Sequence, residues 1–242
     1  MDKPPVAVIA GVGEGLGYAL ARRFAQGGYH VALAARSADR IARLALEIGK
    51  AGGKAFAAPT DLREEQEVMA LFDALESEHG PVEVAVFNAG ANFRASILDT
   101  PADMFEKVWR LGCYAGFLFG REAARRMAPR GNGTILLTGA TASIRGGAHF
   151  AAFAAAKNGL RAVAQSMARE LGSKGLHVAH VVIDGMIDSA TTKSRFPERV
   201  QDLGPDALLD TAAIAELYWQ LHAQPRSAWT FEADLRPWSE KF

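Results

Sequence analysis

This sequence has very little cysteine, no long apolar run and no excess of charge of either sign. Its one cysteine, Cys113, excludes an intrachain disulfide framework and is typical of a reducing compartment. Basic and acidic residues both number 27, so the bulk charge indicates neither a nucleic-acid nor an anionic-membrane partner. There is no apolar run of about 18 residues, and the opening MDKPPVAVIAG lacks the apolar stretch of a secretory signal. We therefore expect a cytoplasmic protein with no membrane span and no nucleic-acid partner.

Short apolar runs alternate with amphipathic segments along the chain, which predicts strand–helix–strand units and a parallel sheet. The predicted strands are Val6–Ala10, Tyr29–Ala35, Ala55–Ala58, Val82–Phe87, Thr134–Thr138, His177–Ile183 and Trp229–Phe231. Helices are predicted from Leu16 to the glycines at 27–28, after the N-cap Ser37, after a capping-box-like stretch at 61–64, from Thr100-Pro101 to about Met127, over Phe150–Leu171 and over Thr211–His222. We expect one doubly wound α/β domain over residues 1–242. Its polar segment 189–206 is expected to be a mobile excursion over the substrate.

Glycines crowd the turn between the first strand and the first helix. Gly11, Gly13, Gly15 and Gly17 stand in the segment GVGEGLG. Such a string is weak by itself, because 24 glycines scatter into many patterns. Between a strand and a helix it is specific, since glycine lets the backbone approach a pyrophosphate at the helix N-terminus. We expect the backbone at Glu14 and Leu16 to take part in this contact.

The spacing of Gly11, Gly15 and Gly17 resembles that of the short-chain dehydrogenase/reductase family. Further motifs in the same order extend the resemblance over most of the chain: Asp61-Leu62, Asn88-Ala89-Gly90, and a segment with Gly185, Ile187 and Ser189. The resemblance implies a Rossmann-type fold, with a seven-stranded parallel sheet flanked by helices in three layers. It also implies that the first pair contacts adenine, the second motif packs behind the cofactor, and the third holds the nicotinamide carboxamide. Asp184 stands where the family has proline, which affects the shape of that last loop.

The end of the second predicted strand bears on the choice between NADP(H) and NAD(H). An acid there usually binds the ribose 2′-hydroxyl of NAD, but this chain has Arg36, a cation suited to a 2′-phosphate. Glu14 counts against NADP, because relatives that bind NADP often carry a base in that turn and because Glu14 is able to pair with Arg36. We expect NADP(H) to be favoured over NAD(H).

Three of the four catalytic positions that the resemblance implies lack their functional groups. Family members use a tyrosine four residues before a lysine, a serine thirteen residues before that tyrosine, and an asparagine in the preceding long helix. With Lys157 as the lysine, the tyrosine position is Phe153 and the serine position is Ala140. The asparagine position is Gly112, or Cys113 with a one-residue shift. Lys157 is expected to hold the cofactor ribose.

Other polar residues near these positions are candidates for the missing proton chemistry. His149 precedes the helix that carries Lys157, and histidine is the residue type most often used for proton transfer at physiological pH, so it is the first candidate to touch substrate. Thr141 and Ser143 are candidate hydroxyls, and Asp184 and Asp188 are candidate carboxylates. No spacing typical of metal ligands is visible.

Two functions from different classes remain open, and a third is weaker. The first is an NADP(H)-dependent oxidoreductase with a non-standard active site that acts on a small molecule. The second is a catalytically inactive nucleotide-binding sensor or regulatory subunit. The third is a lyase or isomerase that reuses the pocket. The resemblance also implies a homodimer or homotetramer formed through the two long helices, residues 105–127 and 150–171.

Overall fold

The computed structural model describes residues 3–240, and its seven strands form one parallel sheet. The strands are β1 (Val6–Ala10), β2 (His30–Ala35), β3 (Lys54–Pro59), β4 (Val82–Phe87), β5 (Gly133–Thr138), β6 (Leu176–Ile183) and β7 (Glu232–Leu235), in the order β3-β2-β1-β4-β5-β6-β7. Every neighbouring pair is parallel. The order reverses between β1 and β4, so a crevice opens at the carboxyl ends of these two strands.

Helices cover both faces of the sheet. They are α1 (Leu16–Gln26), α2 (Ala38–Lys50), α3 (Glu65–Ala74), α4 (Ala102–Trp109), α5 (Ala115–Met127), α6 (Ala151–Leu171), α7 (Ala190–Arg195), α8 (Pro197–Gln201) and α9 (Thr211–His222). Buried side chains of α1, α2 and α9 form one core with the sheet, and those of α3, α5 and α6 form the other. The predicted Rossmann-type fold of three layers is confirmed.

The central strands are apolar at nearly every position because helices cover both of their sides. All five residues of β1 are buried, as are all those of β5 and β6. A strand that is buried on both faces cannot alternate between apolar and polar residues. Continuous apolar runs in the sequence therefore located these strands well.

Three local predictions are wrong in detail. The last strand is Glu232–Leu235 and not Trp229–Phe231, because Trp229 stacks on His177 and the Thr230 N–H donates to the Gln224 side chain. No capping box forms at 61–64, because the Asp61 carboxylate accepts from Arg63 and the helix begins at Glu65. Pro101 precedes α4 in an extended conformation and is not its first residue. The predicted position of Ser37 at the N-cap of α2 is confirmed, although its side chain makes no capping hydrogen bond.

The helix predicted up to Met127 contains a π-helical turn at Arg110–Tyr114 between α4 and α5. At this turn Gly112 packs against α6, where an added Cβ would lie 2.9 Å from the Ala156 Cβ. The segment 189–206, predicted to be a mobile excursion, contains the short helices α7 and α8. No helix within residues 3–240 is long and apolar enough to cross a membrane.

Candidate cofactor and substrate site

Two adjoining cavities lie at the carboxyl ends of the central strands. The smaller has a volume of about 500 Å³ and lies over the ends of β1, β2 and β3. The larger, of about 830 Å³, lies beside the ends of β4, β5 and β6. Asn88 and Gly90 line both cavities, so the two are contiguous. This is the edge of the sheet at which open α/β folds bind their ligands.

The glycine-rich turn forms a cradle that side chains would fill. Gly11 has a φ of +82°, and an added Cβ would lie 2.5 Å from the Ala89 backbone nitrogen. Gly13 faces open space. The backbone N–H groups of residues 13–17 donate to no acceptor in the described part of the chain. These N–H groups and the positive end of the α1 dipole suit a pyrophosphate, so the turn fits the phosphates of a dinucleotide.

Two arginines line the smaller cavity near the carboxyl end of β2. Arg36 was predicted there, whereas Arg40, one helical turn further on, was not. Glu14 does not pair with Arg36, as the sequence allowed, but with Arg43 on α2. Neither Arg36 nor Arg40 makes an ion pair within 4.0 Å among residues 3–240, although Arg36 interacts electrostatically with the Asp61 carboxylate, and both guanidinium groups suit a 2′-phosphate. The spacing of four residues at the start of a helix was the signal for Arg40.

Asp61 and Leu62 line the same end of the smaller cavity. Hydrogen bonds from Arg63 lower the pKa of Asp61 to about 2, against the opposing effect of its partial burial. Leu62 is buried and offers an apolar wall. The two residues therefore give this end one fixed carboxylate and one apolar surface.

The motif predicted to pack behind the cofactor lies at the boundary between the two cavities, and part of the segment predicted to hold the nicotinamide carboxamide lines the larger one. Asn88 donates from its backbone to Ala10 O at 2.9 Å and from its side chain to Gly11 O at 3.3 Å, which joins β4 to the glycine turn. Ala89 is buried against Gly11. Gly185 and Ile187 line the larger cavity, and Ser189 lies against Gly15. The Ser189 hydroxyl caps α7 by accepting from the Thr192 N–H at 3.0 Å.

Lys157 is a buried cation at the floor of the larger cavity. Its Nζ donates to Thr138 O at 2.7 Å, and the side chain is 5% exposed. Burial lowers the pKa of Lys157 to about 8. Gly90 packs against it, since an added Cβ would lie 3.4 Å from Nζ. The lysine is therefore held rigidly between β5 and the segment that follows β4.

The walls near Lys157 are apolar. Ala140, Phe150 and Phe153 line the larger cavity, while Gly112 is buried against α6 and does not line it. None of the residues that line this cavity within the described chain is a tyrosine, a histidine or an acid. Ser143 is fully buried and accepts from the Ala140 N–H at 3.1 Å. Its hydroxyl is thus already used inside the fold.

His149 is exposed and does not line the larger cavity. Its φ of 68° puts the backbone in the left-handed region, and its carbonyl accepts from the Ala95 N–H. Nearness in sequence to the helix of Lys157 did not bring the ring into the cavity lining. A catalytic role for His149 stays a prediction, one that its placement does not support.

Thr141 and Asp184, suggested separately by the sequence, form a hydrogen-bonded pair. Thr141 lines the larger cavity, and its hydroxyl donates to Oδ1 of Asp184. Asp184 is 4% exposed, and its Oδ2 lies 3.7 Å from Nη1 of Arg236, which offsets part of the cost of burying the carboxylate. Asp188 instead pairs with Lys193 at 2.6 Å. The structure therefore selects one hydroxyl–carboxylate pair from the four candidates.

Fold and site together define a Rossmann-type protein with a cradle for a dinucleotide. The family model described as short chain dehydrogenase matches residues 5–200. The 3-oxoacyl-(acyl-carrier-protein) reductase MabA of Mycobacterium tuberculosis is 32% identical over 203 residues, which cover 82% of this chain and 77% of MabA.

Two solved structures resemble the whole chain. A short-chain dehydrogenase from Rhodopseudomonas palustris has 46% identity and a TM-score of 0.82, with 97% of this chain and 98% of that one covered. A metagenomic short-chain oxidoreductase in complex with NADP has 25% identity and a TM-score of 0.83, with 98% of each chain covered. The chain belongs to the short-chain dehydrogenase family of oxidoreductases, as its motifs predicted.

Proposed function

We propose that this protein is an NADP(H)-dependent oxidoreductase for a small alcohol or carbonyl compound. In this proposal Thr141 and Asp184 carry the proton that the family's tyrosine carries elsewhere. The observation that supports it is the hydroxyl of Thr141, which lines the cavity beside Ala140 and donates to the buried Asp184 carboxylate.

The residues of the cradle fit a dinucleotide and would hold it in a defined direction. The free N–H groups of residues 13–17 suit the pyrophosphate, and Arg36 with Arg40 suits a 2′-phosphate. Lys157 is expected to hold the ribose hydroxyls, as the family's lysine does. When bound, the cofactor supplies or accepts the hydride. An NADP preference follows from the two arginines and from the pairing of Glu14 with Arg43.

The direction of the hydrogen bond from Thr141 determines what this pair does to a substrate. Because the Thr141 proton points to Asp184, the free lone pairs of Oγ1 accept a hydrogen bond from a substrate hydroxyl. During oxidation the substrate O–H proton passes to Thr141 Oγ1 while the Thr141 proton passes to Asp184 Oδ1. The carbon loses its hydride, and a carbonyl forms. Reduction reverses each transfer, with protonated Asp184 as the proton source.

Phe153 and Ala140 exclude water from this part of the cavity but take no part in proton transfer. Their apolar side chains line the cavity next to Lys157, and neither group donates or accepts. Exclusion of water strengthens the hydrogen bond from a substrate to Thr141, since the local dielectric constant falls.

The mechanism is tested by replacing each member of the pair. Thr141→Val and Asp184→Asn are expected to lower kcat by about 10²–10⁴, the usual contribution of positioned acid–base catalysis. Thr141→Ser keeps the hydroxyl and is the matched control, with activity within about tenfold of the wild type. NADPH affinity, measured by fluorescence titration, should stay unchanged in all three. Full activity in Thr141→Val would refute the mechanism.

The apolar lining also favours a second candidate, a nucleotide-binding protein without turnover. Phe150, Phe153, Ala140 and Ala142 line the cavity where a proton-transferring tyrosine would be needed. This candidate predicts micromolar NADPH binding together with no consumption of NADPH or reduction of NADP⁺ over a broad panel of ketones, enones and alcohols. Turnover that Asp184→Asn abolishes would eliminate it.

We further propose that α5 and α6 form the interface of a homodimer or homotetramer in the cytoplasm. Phe117 is exposed on α5, and an apolar groove of about 610 Å³ runs between these helices. Light scattering after size-exclusion chromatography should give at least twice the mass of one chain. Ala162→Glu, which places a charge in the groove, should shift that mass toward a monomer.

A further inference from the structure

The residues of the described chain that line the larger cavity include three cations and no acid. The cations are Arg145, Lys157 and Arg199. Lys157 is buried and already hydrogen-bonded to Thr138 O. Arg145 and Arg199 are exposed at the rim of the cavity. Unlike Lys157, they have guanidinium donors that are free to bind a ligand.

Most arginines among residues 3–240 donate to a carboxylate or to a backbone carbonyl. The guanidinium groups of Arg145 and Arg199 have neither a hydrogen-bond acceptor nor an ion-pair partner among those residues, although both side chains line a concave site. They come from separate segments, since Arg145 follows β5 and Arg199 lies in α8. Two unpaired guanidiniums from distant parts of the chain therefore face one cavity.

Arg145 is also tied to the proposed proton-transfer residue. Its backbone N–H donates to Thr141 O at 3.2 Å, within the same turn that presents the Thr141 hydroxyl. A substrate whose oxygen binds to Thr141 would therefore also lie near the cation of Arg145, which belongs to the same turn. Phe150 and Phe153 line the space beside it.

Resting on the proposed function, we infer that the substrate is an organic acid: a hydroxy or oxo compound with an apolar body and a carboxylate or phosphate ester group that Arg145 and Arg199 bind. Planar guanidinium donors pair with such oxyanions through charge-assisted, often bidentate, hydrogen bonds. The cavity walls shield these bonds more than a flat surface would.

Binding of matched probes to the NADP⁺-saturated protein tests this inference without any turnover. Benzoate and phenyl phosphate carry the two acid groups, and benzamide is the neutral control of the same size. We expect isothermal titration calorimetry to give at least tenfold tighter binding for one of the acids than for benzamide. The better acid shows whether the site takes a carboxylate or a phosphate ester. Equal binding of all three probes would overturn the inference.

Substitution then locates the charge. In Arg145→Gln/Arg199→Gln the preference for the acids should fall to within about twofold of unity, and each single variant should lose part of it. Arg195→Gln is the matched control, because Arg195 is exposed in the same excursion but does not line the cavity. A preference that persists in the double variant would contradict the inference.

Two further measurements distinguish this inference from a role of the arginines in cofactor binding and from the proposed proton-transfer mechanism. NADPH affinity should change less than twofold in the double variant, whereas a tenfold loss would assign the arginines to the cofactor phosphates and overturn the inference. The acid preference should persist in Asp184→Asn. If that variant binds benzoate normally and the wild type shows no turnover, the proposed mechanism fails while the acid site stands.

Discussion

Replacing Lys157 by methionine is expected to make the ligand-free protein more stable at pH 7. Burial lowers the pKa of Lys157 from 10.5 to about 8, which corresponds to about 3 kcal/mol of unfavourable charge burial at neutral pH. Methionine keeps most of the volume but loses the hydrogen bond from Nζ to Thr138 O, a loss of about 1.5 kcal/mol. The net gain is roughly 1–2 kcal/mol, or about 3–6 °C in Tm for a chain of this size.

The pH dependence of this gain distinguishes charge burial from simple packing. Between about pH 8 and 10.5 the unfolded chain keeps a proton on Lys157 that the folded protein releases, so wild-type stability rises with pH across this window. Lys157→Met has no such contribution. Its advantage should be full below pH 8, shrink above it and turn into a small deficit near pH 10.5. Urea unfolding followed by tryptophan fluorescence at pH 7, 9 and 10 measures this course.

Lys107→Met serves as the control, because Lys107 is an exposed lysine that pairs with Asp103 at 2.8 Å on one helix face. Its effect should stay within about 0.5 kcal/mol at every pH. If Lys157→Met is less stable than the wild type at pH 7, or if its effect is the same at pH 7 and 10, burial does not depress the lysine's ionisation as argued. A gain in stability with a loss of cofactor affinity would mark Lys157 as a residue kept for binding and not for folding.

Three other substitutions test separate parts of the site. Gly11→Ala should lose roughly 2–4 kcal/mol in urea unfolding, because its Cβ would meet Ala89 backbone at 2.5 Å and its φ of +82° disfavours a side chain; a loss below 1 kcal/mol would contradict the close approach. Arg36→Ala/Arg40→Ala should weaken NADPH binding at least tenfold and NADH binding less than twofold; equal losses in fluorescence titration would refute a 2′-phosphate site. Phe153→Tyr/Ala140→Ser should restore the family's hydroxyl groups beside Lys157, so that ketone reduction by this variant no longer depends on Asp184; continued dependence on Asp184 would show that the new tyrosine does not reach the substrate.

The sequence predicted the central sheet well because a strand that is buried on both faces stands out as a mainly apolar run. β1 is a solid apolar run and β4 is apolar except for Glu83, and the predicted bounds of both strands agree with the structure. The last strand was placed three residues too early, since the aromatic residues Trp229 and Phe231 favour strands but serve here in loop packing. Edge elements depend on tertiary contacts that a local pattern does not contain.

The sequence predicted the part of the site that consists of backbone. It did not predict the parts that depend on contacts between side chains distant in sequence. Glycine positions in the cradle follow from a local spacing, and the structure gives them the open turn that the spacing implies. The partnership of Thr141 with Asp184 joins residues 43 positions apart, so no local signal reveals it. The pairing of Glu14 with Arg43 was missed for the same reason. His149 was placed near the substrate by chain proximity alone, which does not fix the direction of a loop side chain.

If Ser189 holds the carboxamide as expected, the cap that it makes on α7 would link cofactor binding to substrate binding. The same hydroxyl is expected to hold the nicotinamide carboxamide and accepts the Thr192 N–H at the start of the excursion. A cofactor that engages this hydroxyl changes the free energy of the first turn of α7, and through it the segment that brings Arg199 to the cavity. By thermodynamic reciprocity, an acid that fixes Arg199 alters cofactor affinity by the same factor. The preferred order of binding and the selectivity for an acidic substrate would then both depend on the same coupling free energy.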